Sequence, residues 1–174
     1  YDRPQAGRMR EFHQFGVEAI GEESPFVDAE VILLAIDFLE GLGLGDLELK
    51  LNAVGCPKCR PAYRDSLQAY FKDHLGQLCE DCRERYTRSP MRILDCKADA
   101  GQPFMVHAPA ITDCLCEDCA KHFAQVKSAL TAAGISYTLD TRLVRGLDYY
   151  TRTAFEVAYP PLGAQSAVAG GGRY

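Results

Sequence analysis

The sequence lacks the features of membrane, secreted and generally nucleic-acid-binding proteins. No apolar run approaches the ~20 residues that a transmembrane helix requires. The opening residues, YDRPQAGRMREFHQ, are polar and basic, so no signal peptide is expected. Basic residues are not in excess, since 19 Lys and Arg stand against 24 Asp and Glu, and a chain-wide nucleic-acid surface is not predicted. Internal repeats and low-complexity tracts are also missing.

Enough apolar material is present for a folded core, because 47% of the 174 residues are hydrophobic. This length suits one domain, or one core with a small insertion. The chain opens in the middle of a pattern and stops at GGGRY, where a glycine turn should lead into more structure. We therefore expect an internal fragment of a larger protein.

The first third of the chain predicts an arm, a helix and a strand. Residues 1–21 are predicted to form a hairpin arm, with a strand over 9–21. Asp28 is predicted to cap a helix, since apolar residues follow at helical spacing and a glycine closes the run. The strict alternation over 46–55 predicts a strand.

From Cys56 onward the character changes to a cysteine-rich, mainly helical segment. Helices are predicted over 61–75 and 116–134, followed by a strand over 135–140. The last segment returns to strand patterning and is predicted to end on a glycine-rich bend. We expect an α+β protein with two core parts and one insertion domain between them, at residues 1–55, 56–140 and 141–174.

Eight cysteines are many for this length, and most lie in pairs with the spacing CxxC. In a chain without a secretory signal, such pairs indicate metal before disulfides. One pair follows a strand and another opens a helix, which together supply four sulfurs for a structural zinc ion. The predicted ligands are Cys56, Cys59, Cys116 and Cys119. Cys79 and Cys82 are an alternative to either pair; without metal, Cys96 and Cys114 would be small apolar fillers.

The segment RGLDYY, beginning at Arg145, concentrates polar chemistry in six residues. An arginine offers a planar set of donors for phosphate or carboxylate. Tyr149 and Tyr150 offer rigid rings whose hydroxyl groups can bind a ligand nitrogen. From the residues alone, a surface turn with two half-buried tyrosines explains the segment as well as a binding site does.

The longer string RGLDYYTRTAFE resembles the signature of histidyl-tRNA synthetases. GGGRY at 170–174 resembles the second signature of that family, and residues 4–18 resemble part of its motif 2. LNAVG, RILDCK and APAITD are also similar to bacterial members, so the resemblance covers essentially the whole chain. It implies part of the antiparallel sheet of a class II synthetase, flanked by helices.

The resemblance also implies roles for individual residues. Arg145 would be the catalytic arginine, which lies against the α-phosphate of ATP, and Arg8 would also bind ATP phosphate. Histidine would be bound by Gln14, Glu18, Tyr149, Tyr150 and Tyr174. A carboxylate and a hydroxyl together match the donor and the acceptor of a neutral imidazole.

A protein of this family would join histidine to ATP with Mg²⁺ and then transfer it to the 3′ end of tRNA(His) in the cytoplasm. It would be a homodimer that binds no membrane. The arginine of motif 2 would fall before Tyr1, and Asp2 stands where the family usually has Glu. Motif 1, motif 3 and the anticodon-binding domain are not in the sequence. We therefore expect the isolated chain not to aminoacylate tRNA.

Two other functions are compatible with the same sequence. A paralogue of these synthetases is a regulatory subunit of ATP phosphoribosyltransferase that senses histidine; the intact RGLDYY and the long segment 56–140 argue against it. A zinc-dependent RNA-binding module in the insertion is the other, and the segment argues against it because it is not notably basic.

Overall fold

The computed structural model describes residues 9–144 and 149–174. The described residues form an α+β fold in which short 3₁₀ turns connect the main elements. These elements, in chain order, are α1 Pro25–Gly41, β1 Glu48–Gly55, α2 Arg60–Lys72, α3 Glu80–Arg88, α4 Glu117–Ala132, β2 Thr138–Leu139, β3 Thr151–Ala158 and β4 Ala167–Arg173. None of the described helices is long and apolar enough to cross a membrane.

The strands form one mixed sheet in the order β2-β1-β3-β4. The pairs β1–β3 and β3–β4 are antiparallel, whereas the short β2 runs parallel to β1. The predicted strand over 46–55 and the predicted helices over 61–75 and 116–134 correspond to β1, α2 and α4. The predicted antiparallel sheet is therefore confirmed for three strands, and one edge pair is parallel.

Helix α1 begins earlier than predicted. Its cap is Ser24, whose side chain accepts a hydrogen bond from the Phe26 amide at 3.3 Å, and Pro25 occupies the first turn. The assignment of Asp28 as the cap is wrong, because a proline after serine already starts the helix. Asp28 lies one turn further on, where its side chain points into the protein.

The strand predicted over 9–21 is not formed, and the described residues of this segment carry no regular structure. Its apolar side chains are largely exposed, with Phe12 at 69% and Ile20 at 83%. Alternation predicts a strand only where a neighbouring strand takes up the backbone hydrogen bonds, and none of the described strands pairs with this segment. The rest of the predicted hairpin arm lies outside the described residues.

The glycines near the end form a strand and not the predicted bend. Gly171 pairs with Phe155, and Gly172 pairs with Ala154. A Cβ atom at Gly171 would lie 2.7 Å from Cε1 of Phe155, closer than real side chains approach. Here glycine is required because an aromatic ring covers the backbone of the strand.

Two hydrophobic cores are present in the described residues. The first core lies between α1, the sheet and α4. Helix α4 contributes Phe123, Val126 and Leu130 to it. The second lies within residues 63–111 and is built around α2 and Phe104. Helix α4 therefore packs on the sheet, although the sequence places it in the insertion. The division of the chain at residues 56 and 140 stays a prediction.

Candidate functional site

A cavity of about 560 Å³ lies between the sheet, helix α1 and the segment before α1. One wall is the apolar face of α1, which includes Val31 and Leu34. Another is the end of β4, and a third is the irregular segment 15–22. The Phe15 ring is held against this helix, since its centroid lies 4.6 Å from that of Phe38 in an edge-on contact. The irregular segment thus forms one side of the cavity.

Three tyrosines meet at this cavity. The Tyr149 ring lies 5.3 Å from the Tyr150 ring and 5.5 Å from the Tyr174 ring, in edge-on contacts. The Tyr174 hydroxyl donates to the Glu18 carboxylate, and this hydrogen bond, more than burial and the neighbouring charge, raises the pKa of Tyr174. The structure therefore brings together four of the five predicted histidine-binding residues, with a carboxylate and hydroxyl groups beside aromatic faces.

The remaining predicted site residues are placed differently. Gln14 is exposed and does not line the cavity, although it is the chain neighbour of Phe15, which does. Arg8 and Arg145 lie outside the described residues. The described residues therefore form the cavity but do not include the two arginines predicted to bind phosphate.

A buried carboxylate at the cavity connects α1 to the end of β4. Asp28 Oδ1 accepts from Arg173 Nε at 2.8 Å, and Arg173 Nη2 lies 2.7 Å from the same oxygen. The guanidinium also donates to the carbonyl oxygens of Glu22 at 3.0 Å and Ser24 at 2.8 Å. One arginine from the last strand thus fixes the entry into helix α1.

The other oxygen of this carboxylate faces a histidine. Asp28 Oδ2 lies 2.7 Å from His122 Nε2, and Nδ1 of the same ring lies 3.3 Å from Arg152 Nη1. Because a guanidinium only donates, Nδ1 is the acceptor and the ring proton lies on Nε2. Burial acts to raise the pKa of Asp28, but the hydrogen bonds from His122 and Arg173 outweigh it and lower that pKa.

Two further polar residues hold the backbone on either side of the predicted signature. Asn52 donates to the Leu143 carbonyl at 3.0 Å. Arg60 donates through Nε to the Val54 carbonyl at 3.3 Å and through Nη2 to the Tyr150 carbonyl. Asn52 thus holds the chain just before the predicted signature, and Arg60 holds it at Tyr150, which lines the cavity. No spacing in the sequence indicates either residue.

The four cysteines predicted to bind zinc lie together. In the group Cys56, Cys59, Cys116 and Cys119, all sulfurs are within 4.8 Å of one another. Cys56 Sγ is 3.6 Å from Cys59 Sγ and 3.8 Å from Cys116 Sγ. A tetrahedron with Zn–S bonds of ~2.3 Å has sulfurs about 3.8 Å apart, so this geometry fits a zinc ion.

Backbone amides favour a thiolate in this first cysteine group. Burial acts to raise the pKa of Cys56, but the amides of Cys59 and Lys58 and the neighbouring thiols lower it to about 6. The Cys116 amide donates to Cys59 Sγ at 3.1 Å. Burial nevertheless raises the pKa of Cys59 and of Cys119.

The alternative pair belongs to a different cluster. Cys79 and Cys82 do not join the first group; they lie with Cys96 and Asp99 in a second group whose ligand atoms are also within 4.8 Å of one another. Cys96 is therefore more than an isolated apolar filler, whereas Cys114 belongs to neither group.

Comparison with known proteins gives a consistent result. A family model described as histidyl-tRNA synthetase matches residues 1–59. The chain is 57% identical to a histidine–tRNA ligase of Desulforamulus reducens and 58% identical to that of Moorella thermoacetica, in each case over all 174 residues. It spans 42% and 41% of those two proteins.

A solved structure is also similar. The apo histidyl-tRNA synthetase of S. aureus aligns with a TM-score of 0.67 and 40% identity. The alignment covers 90% of this chain and 38% of that one.

Proposed function

This chain belongs to the histidyl-tRNA synthetase family, and on that premise we propose that it forms the histidine-binding part of a histidine–tRNA ligase. The observation that carries the proposal is the cavity at which the Glu18 carboxylate, the Tyr174 hydroxyl and the rings of Tyr149 and Tyr150 meet. Aromatic walls accept a flat imidazole ring, while the polar groups select its nitrogens.

Recognition of histidine follows from the hydrogen-bonding groups of a neutral imidazole. Its N–H donates to a carboxylate, for which Glu18 is the candidate, and its other nitrogen accepts from a hydroxyl, for which Tyr150 is the candidate. An apolar amino acid would leave both protein groups without a partner on the ligand, so the pocket would favour histidine over it. Tyr174 and Gln14 would bind the amino group of the substrate.

The proposed reaction joins the histidine carboxylate to the α-phosphorus of ATP, with loss of pyrophosphate. Arg145 would neutralise charge on the α-phosphate as the carboxylate attacks, and Arg8 would bind ATP phosphate. Mg²⁺ would accompany ATP. The histidyl group would then pass from the adenylate to the 3′ end of tRNA(His), in the cytoplasm and in a homodimer of the complete protein.

We further propose that the first cysteine group binds one structural zinc ion. Its four sulfurs fill a tetrahedron, which leaves no open position for substrate. Cys56 and Cys59 precede α2, whereas Cys116 and Cys119 lie at the start of α4. The ion would therefore fasten the start of one helix to the start of the other, beside the end of β1.

Histidine binding to the 174-residue chain tests the proposed pocket. Calorimetric titration should give a histidine affinity that falls at least tenfold in Glu18→Gln and in Tyr150→Phe. The matched controls are Glu40→Gln on the exposed end of α1 and Tyr137→Phe, which do not line the cavity and should bind as the wild type does. Equal binding by all five proteins would contradict the assigned pocket.

Histidine-dependent exchange of pyrophosphate into ATP tests the reaction. The measurement uses a chain extended at both ends to the length of the relatives. Exchange that requires histidine and is lost in Arg145→Ala supports the ligase. Histidine binding without any exchange would support a histidine-sensing regulatory protein instead.

A further inference from the structure

We propose that Cys79, Cys82, Cys96 and Asp99 bind a second zinc ion, separate from the first cysteine group. Their ligand atoms all lie within 4.8 Å of one another, and Cys79 Sγ is 3.7 Å from Cys96 Sγ. This distance again matches the edge of about 3.8 Å expected for sulfurs around a tetrahedral zinc ion. The inference does not depend on the proposed synthetase reaction.

Three of the four side chains are buried, and only Cys79 is partly exposed. Cys82 is fully buried, Cys96 is 7% exposed and Asp99 is 3% exposed. Two of the cysteines lie at the start of α3, and the other two ligands come from the turn that follows the 3₁₀ segment Pro90–Ile93. A set of converging, buried donors from two parts of the chain is typical of a structural metal site.

Asp99 provides an independent reason to expect a cation. Its carboxylate accepts from the Cys79 amide at 3.1 and 3.2 Å and lies within 4.8 Å of the three sulfurs. Among the described residues, no basic side chain is recorded against it. A carboxylate that is only 3% exposed has lost most of its contact with water, and a positive partner compensates for that loss. A metal ion between Asp99 and the three sulfurs supplies that partner.

Backbone amides are already arranged for thiolates at this second site. The backbone N–H groups of Asp99 and Ala98 lie near Cys96, and that of Cys82 lies near Cys79, where each favours the thiolate form of the cysteine. When Zn²⁺ binds, the three thiols lose three protons to solvent and the carboxylate binds as its anion. The ion and its four ligands then carry a net charge of −2, which these amides and the N-terminus of α3 stabilise.

The chemistry of the donors selects zinc and argues against a disulfide. Thiolates favour zinc over magnesium or calcium, which prefer oxygen ligands. A disulfide between Cys79 and Cys96 would need their sulfurs about 2.05 Å apart and would leave the third thiol and the carboxylate without a role. Four donors around one centre instead suit a single ion.

The second zinc ion would stabilise the second hydrophobic core. Leu78, Cys82, Ile93 and Cys96 all belong to that core. A small core gains stability when a metal fastens two of its segments together, here the start of α3 and the turn at residues 96–99. Chelation should therefore unfold the segment around α3 before the sheet.

Zinc content of the purified 174-residue chain tests the proposal directly. Two zinc ions per chain are expected in the wild type and in the control Cys114→Ser, because Cys114 belongs to neither group. One ion should remain in Cys82→Ser and one in Cys119→Ser. A single ion in the wild type that is lost in Cys119→Ser would overturn the second site, as would the loss of two titratable thiols to a disulfide.

Asp99→Asn tests the site without depending on a cysteine variant that fails to fold. Asparagine keeps an oxygen for the Cys79 amide but loses the charge that binds the metal. In competition with a chromophoric chelator, one of the two zinc ions should dissociate at least tenfold more readily, while the other is unchanged. In the cobalt-substituted protein, the visible absorption of one site should change. Unchanged affinity and unchanged absorption would overturn the assignment of Asp99 as a ligand.

Discussion

Replacement of Asp28 by asparagine should destabilise the protein strongly, because the change places donor against donor in a buried network. Asp28 is 8% exposed, and its partners His122 and Arg173 are 4% and 14% exposed. The asparagine oxygen can still accept from Arg173, but its NH₂ group then faces the N–H of His122. The imidazole cannot move its proton to Nδ1 without facing the guanidinium of Arg152.

The magnitude follows from this burial. Removing one member of a buried ion pair costs about 3–5 kcal/mol, because the remaining charge stays buried. Arg173 keeps the Glu22 and Ser24 carbonyl oxygens as acceptors, which moves the expected loss toward about 3 kcal/mol. The control is Asp37→Asn on the exposed face of the same helix, with an expected change within about 0.5 kcal/mol.

Urea unfolding in zinc-containing buffer, followed by circular dichroism, measures both variants. The pH dependence provides a second test. The folded pKa of Asp28 is lowered, so its stabilisation is present above the unfolded value of about 4 and is lost as the pH falls through the folded value. The gap between wild type and Asp28→Asn should therefore narrow in acid. A loss below about 1 kcal/mol at neutral pH, or a gap that stays constant in acid, would refute this reasoning.

Two further predictions concern the walls of the cavity. Gly172→Ala should lower the free energy of unfolding by about 1–3 kcal/mol, because the new Cβ would lie 2.9 Å from the Thr153 carbonyl oxygen, which cannot move freely. The control is Gly76→Ala, whose new Cβ would meet nothing within 4 Å. Equal urea midpoints for the two variants would contradict the argument. Glu18→Gln should lower the pKa of Tyr174 in an ultraviolet titration, because the carboxylate accepts its phenolic hydrogen bond, and an unchanged titration curve would show that the two groups do not interact.

Much of the fold follows from local patterns in the sequence. Strand β1 and helices α2 and α4 were predictable because alternation and helical spacing depend only on nearby residues. The strand over 9–21 and the terminal bend were wrong for one reason: whether an extended segment becomes a strand depends on a partner elsewhere in the chain. The glycines of β4 predict a bend from the sequence alone, because only the tertiary structure shows the aromatic rings that pack over this strand.

The sequence by itself indicated the family, through the long string that begins at Arg145. Its CxxC pairs also predicted a metal site, but with the pair Cys79 and Cys82 open as an alternative to either of the other two. Only the tertiary structure joined Asp28 to Arg173, which are 145 residues apart, and brought Cys96 and Asp99 to the CxxC pair at the start of α3. Motifs of adjacent residues can be recognised in a sequence because their members are neighbours in the chain. Buried charge pairs and mixed ligand sets cannot be recognised in this way, because their members come together only when the chain folds.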